Sequence, residues 1–170
     1  MDFRYILEEH TNDFDESGRD HIFEIGDKVL NKHSSHSKPS FSYNYLNIST
    51  CPEYCFNHLD FDSSDYNMYF QNVRRISKLT YHELLEQGNK KEIDFTIYTS
   101  INSALKKEFN KLINNIKLSP EQTPTFGRIG LYNSSYPGGK APRIFFFVGH
   151  HCMLHILFFD PYHQLYPEKK

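Results

Sequence analysis

The sequence predicts an α+β domain in which an antiparallel sheet, an N-terminal hairpin plus a C-terminal three-stranded meander, packs on about three helices. Three observations carry that expectation. Apolar residues recur at helical spacing in three middle segments. Short apolar runs separated by turn residues fill the chain beyond residue 125. The 15 Phe and 12 Tyr, with no Trp, among 170 residues suit a sheet-rich core.

The chain begins with an acidic arm. Residues 1–40 hold nine acids and five bases, and residues 41–170 hold twelve acids and fourteen bases. Such an arm fits both a solvated tail and self-masking of a cationic surface. Its end, "NKHSSHSKPS" at 31–40, is a linker by composition, so residues 41–170 are expected to form one compact domain. The apolar runs "FRYILEE" and "HIFEIGDKVL" give the arm something to pack with. No apolar run reaches 18 residues, the N-terminus lacks a basic n-region, and three Cys suit no disulfide framework. A reduced, cytoplasmic protein with no membrane contact is the expectation.

Along the body, "FSYNYLNI" and "YCFNHLDF" alternate aromatic and polar residues and predict the hairpin, with Ser49, Thr50 and Pro52 in its turn. Tyr66, Tyr69, Phe70, Val73 and Ile76 predict a helix with Ser64 or Asp65 as N-cap. Thr80 and Glu83 form a capping box for a second helix, and Gly88 stands where a C′ residue would end it. Ile101, Leu105, Phe109, Leu112, Ile113 and Ile116 share a face, predicting a third helix capped by Ser100 or Thr99 and stopped before Pro120. Strands follow at 126–132, 143–148 and 152–159, with "GHH" as a tight turn and Gly149 at its positive-φ position.

The closing stretch "RIFFFVGHHCMLHILFFDPYHQLYPEKK" holds four of ten His, which raises a metal site as a reading. Strand alternation opposes it, placing Cys152, Leu154, Ile156 and Phe158 on one face and Met153, His155, Leu157 and Phe159 on the other. Cys51 and Cys55 are spaced C-x3-C without a second Cys/His pair, so no metal is expected. Phosphate-loop, dinucleotide, hydrolase-elbow and H-E-x-x-H motifs do not occur in the sequence, and no cofactor is expected. Gly-Gly-Lys ending at Lys140 reads as a hairpin loop, and Asp60, Asp62 and Asp65 read as caps for the next helix.

What the meander would gather is more suggestive. Arg128, Lys140 and Arg143 could hold a phosphate, and His155 or His163 could move the 2′-hydroxyl proton. Tyr162 and Tyr166 could stack bases, which together suffices for metal-independent RNA cleavage. Read singly, each residue is equally at home as a sheet or turn residue, with Asp160-Pro161 ending a strand.

Helices followed by an Arg-bearing meander that ends in His and Tyr resemble the RelE-type messenger-RNA interferases of toxin–antitoxin pairs. The resemblance covers about residues 100–166. It implies an endoribonuclease of a toxin or phage-defence system, with Arg128, Arg143, His155 and Tyr162 or His163 at the site and RNA, the ribosome and a cognate antitoxin as partners. The ending "LHILFFDPYHQLYP" is similar to the C-termini of small uncharacterised bacterial proteins found near mobile elements, where "FDP.H.lYP" closes an aromatic-rich chain. The alternative is a non-catalytic phage or mobile-element protein that binds and inhibits a protein partner through its aromatic sheet and acidic arm.

Overall fold

The computed structural model describes residues 37–90, 93–115, 123–132 and 141–167. The acidic arm up to residue 36, Ile116, Pro120 and the loop carrying Lys140 lie outside the described residues. Among those described, the chain forms β1 (Ser40–Ser42), α1 (Ser63–Ile76), α2 (Tyr81–Lys90), β2 (Phe95–Ile97), α3 (Ser103–Leu112), β3 (Thr125–Gly130), β4 (Arg143–Val148) and β5 (Met153–Asp160). A single 3-10 turn occupies Pro52–Tyr54, and His150–Cys152 forms a tight turn with left-handed residues. The class is α+β, as the residue pattern predicts.

The sheet is mixed, not antiparallel. Its order is β1-β5-β4-β3-β2; β2 to β5 pair antiparallel, while β1 runs parallel to β5 with Phe41 opposite Leu154. The expected meander of β3, β4 and β5 is present, and β2 extends it by a strand absent from the sequence expectation. The expected N-terminal hairpin is not. Residues 54–59 form no strand, because Asn47 folds the chain back on itself. Asn47 is fully buried. Its amide donates to the carbonyls of Cys51 (2.8 Å) and Tyr54 (3.0 Å), and its Oδ1 accepts from the Cys51 N–H at 3.0 Å.

Both sheet faces are covered. Ile144, Phe146, Val148, Leu154, Ile156 and Phe159 pack with Tyr69 and Ile76 of α1 and with Tyr81 and Leu84 of α2. Phe126, Phe145, Phe147, Leu157 and Phe158 pack with Leu105 and Phe109 of α3. Phe158 and Phe159 thus lie on the opposite faces from those that strict alternation assigns. The reason is a bulge: Phe145 pairs with Phe158 but Phe146 pairs with Ile156, leaving Leu157 as the extra residue. The Asn47 N–H donates to the Leu157 carbonyl at 2.8 Å, so the loop satisfies an acceptor on the bulged residue.

The helix ends correct several expectations. Asp62, not Ser64 or Asp65, caps α1, with Asp65 closing the capping box as its third residue. The face that α1 buries is Asp65, Tyr69, Asn72 and Ile76, rotated from the apolar stripe, because the two polar residues are anchored. Asn72 Nδ2 donates to the Gly130 carbonyl at 3.1 Å, and the Tyr132 hydroxyl donates to Asp65 at 2.9 Å. Thr80 and Glu83 make the expected capping box. Helix α2 nevertheless runs through Gly88 to Lys90, since a mid-helix glycine costs only about 1 kcal/mol. Asn102 caps α3 in place of Ser100 or Thr99, while Leu105, Phe109 and Ile113 form its buried face. The left-handed residues before β5 are His151 (φ 51°) and Cys152 (φ 59°). Gly149 is needed there for a different reason, since a Cβ would lie 2.5 Å from His155 Nε2.

Replacing Asn47 by Ala strands the buried Cys51 N–H and the part-buried Tyr54 carbonyl and leaves the Cys51 carbonyl with the Tyr54 N–H alone. Urea unfolding should show a loss of about 2–4 kcal/mol at unchanged m-value, whereas Asn57→Ala, at an exposed position, should leave the midpoint in place.

Candidate functional site

Arg128 and Arg143 do come together. Arg128 pairs with Phe145, and Arg143, two residues earlier on β4, pairs with Gly130, so both side chains rise on the face that carries α3. Gly130 leaves room beside them, and a Cβ there would overlap the carboxylate of Asp94. That carboxylate is shared. Asp94 Oδ2 lies 3.6 Å from Arg128 Nη1 and 3.6 Å from Arg143 Nη2, with the arginine side chains 12% and 13% exposed. Backbone contact fixes the acid, because the Gly130 N–H donates to the Asp94 carbonyl at 2.7 Å.

Two aromatic rings adjoin this group. Tyr98 stacks on Phe145 at 6.3 Å between centroids and on Tyr166 at 4.1 Å. The Tyr166 hydroxyl donates to the Ser100 carbonyl. Burial holds the Tyr98 phenol protonated, well above its usual range. Asp94 and Tyr98 are absent from the set that the sequence suggests. Their signal is weak: an acid and an aromatic flanking "FTI", a run too short to declare itself a strand.

The rest of the expected set serves elsewhere. His155 shares the sheet face of the arginines but pairs with Phe147, four residues along β4 from Arg143, or roughly 13 Å at the rise of a strand. It is 8% exposed, stacked on Phe147 at 4.5 Å and edge-on to Tyr45 at 5.6 Å. Its Nδ1 has no hydrogen-bond partner among the described residues. Burial lowers its pKa to about 4, so the ring is neutral at neutral pH. His163 sits at φ 58° in the closing turn. Tyr162 is 46% exposed and donates to Asp60 Oδ2 at 2.7 Å. Lys140 lies outside the described residues.

That closing turn is organised by Asp160, which is fully buried. Its carboxylate accepts the backbone N–H groups of Tyr162 (3.2 Å), Gln164 (3.0 Å) and Leu165 (2.7 Å). Asp60 receives Tyr162, Asp62 caps α1 and Asp65 is locked into the helix–sheet contact. Among the described residues no group of three or more His, Cys, Asp or Glu could hold a metal ion. Cys51, Cys55 and Cys152 are buried and form no disulfide, and burial, with Glu108 beside it, pushes the Cys51 thiol up to about 12.

A second candidate lies on the other layer. Tyr66 and Phe70, spaced i, i+4 on the outward side of α1, are 40% and 58% exposed, and Tyr43 beside them is 43% exposed. Tyr43 is tied to the helix through the buried Tyr69, whose ring lies 5.3 Å from that of Phe70 and whose hydroxyl is 3.2 Å from the Tyr43 hydroxyl. Arg74, one turn beyond Phe70, and Arg75 are exposed too.

No family model, no curated protein and no solved structure matches this chain. No helix among the described residues is long and apolar enough to cross a membrane.

The neutral His155 gives a pH prediction. Its folded pKa of about 4 lies below the unfolded value, so the unfolded chain takes the proton first. The stability it supports is full above about pH 6.5 and is lost as pH falls toward about 4. The loss should be roughly 2 kcal/mol once solvent screening is allowed for, and urea titrations from pH 7 to 4 should show a shallower slope for His155→Gln than for wild type. Asp160→Ala strands three backbone donors and should cost about 3 kcal/mol. If Asp160→Ala left the urea midpoint unchanged, the turn would have to be held by other contacts.

Proposed function

We propose that this protein works as a non-catalytic binding protein whose working surface is the outer face of α1, with Tyr43 at its edge. The observation that supports this reading is the exposure of Tyr66 and Phe70 in one stripe with Arg74. Large exposed aromatics beside an arginine are the side chains that dominate binding energy at protein interfaces. Rigid presentation favours the same reading, because the opposite face of α1 is fastened to the sheet by Asn72 and Asp65. The ligand class is then a protein partner with an apolar, electronegative patch.

A second reading, action on RNA at Arg128 and Arg143 as a RelE-like endoribonuclease, is favoured by a specific observation. Both guanidiniums reach one carboxylate oxygen of Asp94, a geometry that a phosphate oxygen could share. His155, the ring expected to move the proton, is buried, neutral and roughly 13 Å along the strand, so catalysis there would need another group in that role.

The two readings separate experimentally. A partner captured on the immobilised chain, then purified and titrated back, should bind Phe70→Ala about 30-fold more weakly, the loss of a 2 kcal/mol anchor. An unchanged Kd would remove α1 from the interface. Labelled mixed-sequence RNA, incubated with and without EDTA and ribosomes, should stay intact. EDTA-resistant cleavage abolished by the double variant Arg143→Ala, His155→Ala would instead establish the nuclease.

A further inference from the structure

The aromatic stripe of α1 runs on into positive charge. Tyr66, Phe70, Arg74 and Lys78 follow at intervals of four, with Arg75 beside them, and all five are exposed. Residues 70–78 carry three cations and no acid. A surface that presents two rings and an arginine in one row, with Arg75 on the neighbouring side of the last turn and Lys78 just past the helix end, is complementary to a segment that mixes acids with apolar side chains.

The chain itself carries such a segment. Residues 1–24 contain eight acids and two bases, with Phe3, Tyr5, Ile6, Leu7 and Phe14 among them. The described chain starts beside the cationic end of the stripe, because the Ser37 carbonyl accepts the Tyr81 N–H at 3.0 Å, only three residues after Lys78. Twelve residues, 25–36, separate Glu24 from Ser37, a tether that can extend about 40 Å. Helix α1, with 14 residues, is about 21 Å long, so every part of its outer face is within reach. A tether of this length sets an effective concentration on the order of a millimolar, so even weak intrinsic affinity fills the site.

We propose that the acidic segment, residues 1–24, docks in cis on the Tyr66, Phe70 and Arg74 face of α1 and competes there with the partner. The proposal rests on the reading of that face as a binding surface. It makes the arm a built-in competitor: a partner must match the acidic segment's chemistry and displace it, and raised salt weakens the arm's hold.

The absence of Trp from the sequence allows a direct test in the full chain. Phe70→Trp places one fluorophore at the centre of the stripe. In low salt its quenching by acrylamide should be at least threefold weaker than in the same chain also carrying Asp13→Asn, Asp15→Asn and Glu16→Gln. Adding 0.5 M sodium chloride should bring the two together. Carbodiimide coupling should in addition join Lys78 to a carboxylate of residues 1–24 within one chain. Equal quenching of both chains in low salt overturns the proposal, as does coupling found only between two chains, which would assign the face to a second copy. Shielding of the introduced indole that develops only on adding poly(U) would assign the face to RNA and overturn the proposal equally. The two readings fail separately: equal quenching with partner binding still lost in Phe70→Ala removes the docking alone, whereas shielding with an unchanged partner Kd removes the binding function alone.

Discussion

Phe145, Phe146 and Phe147 are consecutive in β4 and all fully buried, and that single constraint shapes the molecule. Successive residues of a strand point to opposite faces, so no one-sided sheet can bury all three. The chain must supply cover twice, and it does, with α1 and α2 over Phe146 and α3 over Phe145 and Phe147. Strand order follows from the same demand. The two most apolar strands, β4 and β5, take the middle positions, while three-residue strands β1 and β2 form the edges, where short length limits stray pairing.

Two-sided burial leaves little place for polar groups, and three of those that enter the interior, Asn47, Asn72 and Asp160, are occupied in holding backbone. Asn47 serves the loop that crosses the Leu157 bulge, Asn72 ties α1 to the end of β3, and Asp160 gathers three N–H groups of the closing turn. Each satisfies groups that would otherwise cost about 1–3 kcal/mol apiece when buried. The histidine-rich C-terminus is intelligible in these terms. Its Phe, Ile and Leu build the central hairpin, Asp160 folds the exit, and His155 packs as a neutral aromatic ring between Phe147 and Tyr45.

Legibility in the sequence tracks how local the deciding interaction is. The box of Thr80 with Glu83, the α3 face of Leu105 and Phe109, and the runs of β4 and β5 depend on neighbours within a few residues, and the pattern displays them. The parallel pairing of Ser40–Ser42 with β5 depends on residues more than a hundred positions away, and nothing near Phe41 announces it. The bulge at Leu157 is similarly silent, and it reverses the faces assigned to Phe158 and Phe159. The outward turn of Tyr66 and Phe70 is hidden for the opposite reason. Their spacing imitates a core stripe, whereas the buried face is set by Asp65 and Asn72, polar residues whose partners come from β3 and its exit. The convergence of Arg128 with Arg143 is legible from strand positions, but Asp94, which lies between them, is not.

The contrast between the two candidate surfaces is one of solvation. Arg128 and Arg143 are mostly removed from water and engaged with Asp94, so an anionic ligand would have to replace a fitted carboxylate and bear the desolvation of its own charge. A mostly buried ion-paired arrangement of that kind favours rigidity over exchange. On α1 the balance is reversed. Phe70 stands largely in water, and Tyr66, its ring 4.1 Å from that of Phe61 and its hydroxyl donating to the Phe56 carbonyl, adds a partly exposed edge on a helix that is already fixed, so covering them releases solvent, and at about 25 cal/mol per Å² each ring contributes on the order of 2 kcal/mol. The cations that follow at Arg74, Arg75 and Lys78 are solvated, so their part is to steer and select an acidic counterpart more than to supply affinity. A surface with these properties binds reversibly and is sensitive to salt, the conditions under which the chain's own acidic segment can compete with a separate partner.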